Sequence, residues 1–134
     1  MDEEKKEDTF DYSLNGRKGI NLTGYHLWHL IHSFAAVYNK FQMSVYVNFL
    51  VFAFELIQCH DCKLEAQQHL EHLKSNREKY LQDNHSLFRW TYNVHCAITE
   101  KCNRTLGTKK VSPDYEKIKK AYFEAMGIKY ESGK

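Results

Sequence analysis

Apolar residues recur at intervals of three and four along most of this chain, a spacing typical of helices that bury one face. The first such segment predicts a helix over about residues 25–40, with Thr23 as its N-cap. A second apolar segment covers about residues 44–58. Its valine, tyrosine and phenylalanine content also suits a buried strand. Its length favours a buried helix, however, and no second strand pattern exists to pair with it.

Three further helices are predicted in the second half of the chain. One begins with Cys59, and the next begins near Ser86. The last has the clearest start, because Ser112 can act as its N-cap and Pro113 suits the first helical position; Gly127 would end it. Short connections make neighbouring helices antiparallel, so the sequence predicts an all-α four-helix bundle with a short fifth helix.

Length and composition place this bundle in one domain. The chain has 134 residues, of which 43% are hydrophobic and 27% are charged, as in ordinary globular proteins. A single proline and six glycines leave few turn signals, which argues against an all-β fold. We expect residues 1–22 to be a flexible arm, residues 23–128 the folded domain, and residues 129–134 a frayed tail.

Charge and apolar runs argue against two classes of protein. The 19 basic and 17 acidic residues nearly balance, whereas a dedicated nucleic-acid-binding domain usually shows a strong basic excess. The longest apolar stretch, residues 45–57, contains Asn48 and Glu55 and is shorter than the ~20 residues that a membrane span requires. The sequence therefore predicts no nucleic-acid partner, no transmembrane segment and no secretory signal.

The four cysteines are Cys59, Cys62, Cys96 and Cys102. The first two form a Cys-x-x-Cys motif at the start of the predicted third helix, where N–H groups and the helix dipole are expected to lower a thiol pKa. The motif suits a dithiol redox centre or half of a zinc site, and it also occurs by coincidence. The other two cysteines lie six residues apart, on different helix faces. We expect them to be free buried thiols without a role in the chemistry.

A zinc site would need two more ligands, for which His69 and His72 are the candidates. Their distance from the cysteines along the chain is shorter than the usual zinc-finger spacing, so the redox interpretation is favoured. A thioredoxin-like domain would require alternating strands and helices, and no such alternation is visible. The redox chemistry is therefore expected on a helical fold, with no metal.

Two clusters of aromatic and histidine residues flank the cysteine pair. Trp28 and His32 lie four residues apart and share a helix face, with Tyr38 roughly on the same face; Trp90 and His95 form the second cluster. A bundle interior lined by such side chains can accept a flat conjugated ligand by stacking and hydrogen bonding. Taken singly, each aromatic residue is better explained as part of the core, and each histidine as a surface residue, than as part of a ligand site.

Taken together, these elements resemble the Erv/ALR family of flavin-linked sulfhydryl oxidases, especially its compact viral members, over about residues 24–123. That family shows a Gly-x3-Trp-x3-His element, then a Cys-x2-Cys pair, then a His-Asn-x-x-Asn element. The matching residues here are Gly24, Trp28, His32, Cys59, Cys62 and His95. Cys96 and Thr99 stand where the family has asparagines, and Tyr25 stands where arginine or proline is common.

The resemblance implies that FAD is bound within the bundle. It assigns to the cofactor site Gly24, Trp28, His32, Tyr38, His95, Ile98, Thr99, Lys109, Lys110 and Tyr115. Lys109 or Lys110 would meet the pyrophosphate, and Tyr115 would pack near the adenine. Because Cys96 and Thr99 replace two asparagines, the side of the site that they form lacks two amide groups that would hydrogen-bond to the cofactor.

The resemblance also implies a mechanism. A substrate dithiol would attack Cys59, and Cys62 would pass the electrons to the flavin and then to O2, giving H2O2. The expected partner is a thiol-containing client or a thioredoxin-like carrier, because neither chain end carries a shuttle cysteine. A homodimer through the first two helices is expected, acting in the host cytoplasm or the virion. The alternative is a non-catalytic helical interaction module whose cysteine pair binds zinc or forms a structural disulfide.

Overall fold

The computed structural model describes residues 19–134, with side chains from residue 26 onward, so most of the predicted arm at residues 1–22 lies outside the described residues. The α-helices are α1 Gly19–Ala36, α2 Met43–Glu55, α3 His60–Ser75, α4 Arg77–Tyr80, α5 Asn84–Leu106 and α6 Tyr115–Ala125. A 3-10 helix, Lys40–Gln42, precedes α2. No strand occurs in the described part of the chain, and the predicted all-α class is confirmed.

Helix α5 is the centre of the bundle. Both α1 and α3 pack along it, α6 packs on α1 and α5, and α2 packs mainly on α3. The fully buried large side chains come from every long helix and form one cluster; they include Ile31, Phe54, Leu73, Phe88 and Phe123. Because α1 and α3 meet the same central helix, side chains from both converge on α5.

None of the helices in the described range 19–134 has the combined length and apolar character needed to cross a membrane.

The first helix differs from its predicted bounds at both ends. It already includes Thr23, which is therefore not its N-cap, and it ends before Tyr38. A new cap follows: the Asn39 side chain accepts a hydrogen bond from the Phe41 N–H at 3.0 Å, and its own N–H donates to the Gln42 side chain at 3.1 Å. This reciprocal cap satisfies the first N–H groups of the 3-10 helix and separates it from α1.

The last helix begins two residues later than predicted. Its N-cap is Asp114, whose carboxylate accepts a hydrogen bond from the Lys117 N–H at 3.2 Å, so Ser112 and Pro113 lie before the helix. The ionised carboxylate is the stronger partner for the positive helix end, which explains why it is the cap. The predicted end is confirmed, because Gly127 has a φ of 74°, the left-handed conformation that glycine adopts readily after a helix.

The segment after α6 packs on the bundle, so the predicted frayed tail is wrong. Lys119, fully buried on α6, donates hydrogen bonds to the main-chain oxygens of Glu131 and Lys134, both at 2.9 Å. The Tyr130 hydroxyl also donates to Glu116. Burial lowers the pKa of Lys119, and the two carbonyl oxygens replace part of the hydration that its ammonium group loses.

Candidate functional site

Cys59 caps the start of α3. Its backbone is extended, and its Sγ accepts a hydrogen bond from the Cys62 N–H at 3.3 Å. The sulfur here takes the place of the side-chain oxygen that usually satisfies an N-terminal N–H group. Asp61 adds a carboxylate in the first turn, at the positive end of the helix dipole. The cap brings both sulfur atoms of the motif to the same end of α3.

The two sulfur atoms of the motif differ in their access to solvent. Cys59 is 9% exposed and Cys62 is not exposed at all. Burial raises the pKa of the Cys62 thiol far above its usual value, and the neighbouring Cys102 and Cys59 thiols raise it further. The predicted lowering by the helix end is therefore wrong for Cys62, because removal from water penalises the thiolate more than the α3 dipole stabilises it.

A third cysteine contacts this pair. The Sγ atom of Cys102, on α5, lies 2.8 Å from that of Cys62, and the Sγ atoms of Cys59, Cys62 and Cys102 all lie within 4.8 Å of one another. Cys102 is therefore a free thiol, as expected, but it is half-buried and lies in contact with the Cys-x-x-Cys motif. The sequence does hold a signal for it, because Cys102 follows His95 by seven residues, two helical turns along the same face of α5.

These three cysteines are the one place in the described range where three His, Cys, Asp or Glu side chains converge closely enough to hold a metal ion. The histidines considered as zinc ligands lie elsewhere. His69 pairs with Glu65 at 3.2 Å, and the His72 ring packs edge-on against Tyr80. The two-cysteine, two-histidine zinc site considered from the sequence is therefore not formed.

A stack of rings from α1 and α5 forms a second feature. The rings of Trp28 and His95 lie with their centroids 4.2 Å apart and their planes 3° apart. His32, one turn after Trp28 on α1, completes the group at 5.8 Å from the Trp28 ring and 5.1 Å from the His95 ring. The structure thus brings together three residues that the resemblance assigns to the cofactor.

Hydrogen bonds fix the protonation pattern of the two histidines. The Thr91 hydroxyl donates to the Phe88 carbonyl oxygen at 2.7 Å, so its oxygen accepts from Nδ1 of His32 at 3.1 Å. Nε2 of a neutral His32 is then an acceptor, and it lies 3.0 Å from Nδ1 of His95, which must donate. In this arrangement Nε2 of a neutral His95 carries no proton.

Both histidines are neutral near pH 7. Burial, together with smaller effects of the nearby His95 and His29, lowers the pKa of His32 to about 3. Burial likewise lowers the pKa of His95 to about 4, with a smaller effect from the charge of Lys110. The direction of the hydrogen-bond chain is consistent with these neutral rings.

A cavity of about 200 Å³ opens beside His95, where α5 meets α6 and the loop of residues 107–114. Four of its lining residues are among those that the resemblance assigns to the cofactor: His32, His95, Thr99 and Lys110. Tyr92, Cys96 and Tyr122 also line it, and the sequence did not single them out as ligands. Tyr92 and Cys96 lie one helical turn apart on α5, and His95 lies between them in the sequence. This proximity to a predicted ligand could have identified both residues.

The other predicted cofactor residues have different surroundings. The Tyr38 hydroxyl donates to the Leu81 carbonyl oxygen at 2.7 Å, and its ring packs edge-on against Tyr46. These contacts place Tyr38 in the core between the start of α2 and the segment before α5. They do not join it to the ring stack.

Tyr115 packs edge-on against Tyr92, a cavity residue, at a centroid distance of 5.1 Å. Ile98 is buried in the core, one turn after His95 on the same α5 face. Lys109 is exposed in the loop after α5, and Gly24 lies within α1. Tyr115 therefore lies next to the cavity. For Lys109 and Gly24 the structure gives only the loop or helix in which each lies.

The thiol cluster and the ring stack lie along one helix face. His95 and Cys102 are seven residues apart on α5, which corresponds to about 10 Å along the helix axis at 1.5 Å per residue. Ile98 lies between them on the same face. The ring stack and the buried sulfur of Cys62 therefore lie at two levels of the same α5 face.

Comparison with known proteins identifies one similarity. The model of the Erv1 / Alr family matches residues 25–123, which covers the ring stack, the cysteine motif and most of α6. No curated protein and no solved structure matches this chain.

Proposed function

Because the Erv1 / Alr model matches most of the chain, the protein belongs to this family of FAD-linked sulfhydryl oxidases, and on that premise we propose its specific reaction. It oxidises the dithiols of protein substrates to disulfides through a redox disulfide between Cys59 and Cys62. The electrons pass through FAD to O2, which is reduced to H2O2. Family membership gives thiol oxidase chemistry in general, and the residues discussed next support the specific proposal.

One observation carries the proposal: the α5 face that contacts the buried sulfur of Cys62 through Cys102 also carries His95 and the ring stack. A redox pair in this family needs one sulfur accessible to substrate and the other close to the electron acceptor. Cys59 keeps 9% of its surface exposed and Cys62 keeps none, and this difference has the direction that those two requirements need.

The thiol steps follow from the order of exposure. A substrate thiolate attacks the Cys59 sulfur of the Cys59–Cys62 disulfide, a substrate–Cys59 bond forms, and Cys62 leaves as a thiolate. The second substrate thiolate then attacks the substrate sulfur that is bonded to Cys59. The substrate disulfide forms as the bond to Cys59 breaks, and Cys59 leaves as a thiolate. Burial raises the pKa of Cys62, which by itself makes this sulfur the poorer leaving group, so the assignment of Cys62 to the inner position rests on its burial and not on its pKa.

The residues at the ring stack suit FAD in chemical type. Trp28, His32 and His95 offer flat rings, Thr99 offers a hydroxyl, and Lys110 offers a cation for a pyrophosphate. FAD, when bound, supplies a two-electron acceptor that O2 can reoxidise. The cavity of about 200 Å³ is smaller than the ~300–1,000 Å³ usual for ligand sites. The loop of residues 107–114 would therefore have to open to admit the cofactor.

The same family likeness supports the remaining parts of the proposal. The partner is a thiol-containing client or a thioredoxin-like carrier, and the place of action is the host cytoplasm or the virion, as for compact viral members. Exposed apolar side chains on α1 and α2, including Leu30, Phe34 and Phe52, support a homodimer through these helices.

The test uses the purified 134-residue chain. We expect a yellow preparation that absorbs near ~450 nm because of bound flavin, and that consumes O2 and forms H2O2 when given a reduced dithiol. The Cys62→Ser variant should remain yellow and lose turnover. A matched variant, Ser75→Ala at the end of α3, should keep both properties. A yellow Cys62→Ser protein with full turnover would contradict the proposed role of Cys62.

The alternative function, a non-catalytic interaction module, gives a different result in the same experiment. Such a protein would be colourless and would not consume O2 with any dithiol. If its cysteines bound zinc, metal analysis would find one zinc ion per chain, and chelation would lower its stability.

A further inference from the structure

We propose that Cys102 is a third redox-active cysteine, which exchanges with Cys59 as the disulfide partner of Cys62. Cys62 is then a shared sulfur with two alternative bonds, one within the Cys-x-x-Cys motif and one between α3 and α5. This inference goes beyond the proposed function and does not require flavin, because it concerns exchange among three thiols.

The geometry favours a Cys62–Cys102 bond. The two Sγ atoms are 2.8 Å apart, so they must approach by less than about 1 Å to reach the ~2.05 Å of a disulfide. The helices that carry them, α3 and α5, already pack against each other. Bond formation therefore needs only small side-chain movements in a region where the backbone positions are set by the bundle.

The exchange is chemically balanced without any external oxidant. The Cys102 thiolate attacks the Cys62 sulfur of the Cys59–Cys62 disulfide along the S–S axis. A Cys62–Cys102 bond forms as the Cys59–Cys62 bond breaks, and Cys59 leaves as a thiolate that takes up the proton lost by Cys102. One disulfide and one thiol are present before and after the step, so no net oxidation occurs.

Solvent access gives the second bond a distinct chemical consequence. Cys102 is partly exposed, whereas Cys62 is completely buried. An external thiolate can thus reach the Cys62–Cys102 disulfide at Cys102, and its attack there would release the same Cys62 thiolate as attack at Cys59. A substrate thiolate can thus attack at either of two sulfurs, Cys59 or Cys102, and both attacks release the thiolate of Cys62.

A metal site explains this cluster less well. Two thiolates bound at ~2.3 Å to a tetrahedral zinc ion lie about 3.8 Å apart, which is wider than the 2.8 Å between Cys62 and Cys102. In addition, the cluster contains three ligands, while structural zinc sites almost always have four. Disulfide exchange is consistent with both the short distance and the number of thiols.

The experiment maps disulfides in the full chain. The protein is reduced, freed of reductant and treated with one equivalent of diamide, a reagent that converts dithiols to disulfides. Acid quenching, alkylation and mass spectrometry of unreduced digests then identify the bonds. We expect both Cys59–Cys62 and Cys62–Cys102 peptides from the unmodified protein. The Cys59→Ser variant should contain only the Cys62–Cys102 bond, and Cys102 should then no longer be alkylated. The Cys102→Ser variant should contain only the Cys59–Cys62 bond.

Cys96→Ser is the matched control on the same helix and should give the bonds of the unmodified protein. The Cys102→Ser variant gives the reference dose of diamide, which is the dose that closes the Cys59–Cys62 bond. The proposal is overturned if, at that dose, Cys62 and Cys102 of the Cys59→Ser variant can still be alkylated. It is also overturned if one tightly bound zinc ion per chain protects all three thiols. Should Cys59→Ser fail to fold, absence of the Cys62–Cys102 peptide from the unmodified protein decides against the proposal. A colourless protein without oxidase turnover would contradict the proposed function and leave this disulfide result unchanged.

Discussion

The indole ring of Trp28 and the imidazole ring of His95 lie face to face, with centroids 4.2 Å apart and planes 3° from parallel. At this separation no third ring fits between them. A flat ligand that uses this site must therefore stack on an outer face of the pair or displace the His95 ring from Trp28. On the Trp28 side of the pair, or after such a displacement, Trp28 provides a rigid aromatic surface that α1 holds against α5.

The Trp28→Phe variant tests this surface. Loss of part of the ring should remove about 0.5–1.5 kcal/mol of stacking free energy, which weakens flavin binding by about tenfold or less. Trp90→Phe is the matched control, since Trp90 is 5% exposed and Trp28 is 9% exposed. Flavin titration by fluorescence quenching should separate the two variants, while urea unfolding should show similar stability losses. Equal flavin affinity in both would argue against the Trp28 surface.

The buried histidines predict a loss of stability in mild acid. The pKa of His32 is about 3 in the folded protein and near 6.5 in the unfolded chain. Between these values the unfolded chain binds a proton that the folded protein does not. Stability is therefore fully present above about pH 6.5 and falls as the pH decreases toward 3, by about 1.4 kcal/mol per pH unit for this residue.

Urea unfolding between pH 7 and pH 4.5 measures this effect. His32→Gln should show a smaller decrease in the free energy of unfolding than the unmodified protein over that range. His72→Gln, a surface substitution on α3, should keep the original pH dependence. The same pH dependence in all three proteins would show that folding does not lower the pKa of His32.

Thr91 orients His32, and Thr91→Val should expose that role. Valine has nearly the same shape but no hydroxyl, so Nδ1 of His32 loses its buried acceptor, at a cost of about 1–3 kcal/mol in the free energy of unfolding. Thr105→Val, an exposed change on α5, should alter stability little. Nitrogen NMR of the imidazoles should show the Nδ1–H form of His32 in the unmodified protein and its loss in Thr91→Val. An unchanged tautomer would contradict the hydrogen-bond chain.

The proposed dimer predicts a specific effect of charge on α2. Phe52 is 67% exposed, so Phe52→Lys should leave the folded chain stable but place a cation in the apolar contact. Light scattering should then find a monomer. Leu106→Lys, at a 50% exposed position at the end of α5, should remain a dimer. A monomeric unmodified protein, or a dimeric Phe52→Lys protein, would exclude this interface.

Local sequence signals account for much of the fold and for part of the site. Residues spaced by three or four predict helices because such spacing gives each helix one buried face, and the four-residue step from Trp28 to His32 requires only that α1 forms. The φ of Gly127 was similarly predictable, since a glycine after an apolar helical segment suits a left-handed end. These features depend on neighbours within one or two turns.

The contact between Cys62 and Cys102 has a different origin. It depends on which face of α5 meets α3 and on how far the two helices are shifted along each other, and both are set by packing of the whole bundle. The six-residue spacing of Cys96 and Cys102 correctly excluded a disulfide between them. It gave no information on Cys62, the partner of Cys102 on another helix. Competing local signals caused the smaller error at α6, where Asp114 is the cap and Ser112 is not.

The buried ammonium group of Lys119 extends the packed part of the protein beyond the family-matched segment. Its two carbonyl acceptors belong to residues 131 and 134, beyond the family-matched segment 25–123. A chain shortened to that segment would leave a cation in the core beside Phe123 without these acceptors, which costs more than the loss of an ordinary hydrogen bond. The family-matched segment and the stretch of chain that Lys119 needs for its hydrogen bonds are thus different lengths, and a tag or truncation near residue 130 acts directly on the hydrophobic core.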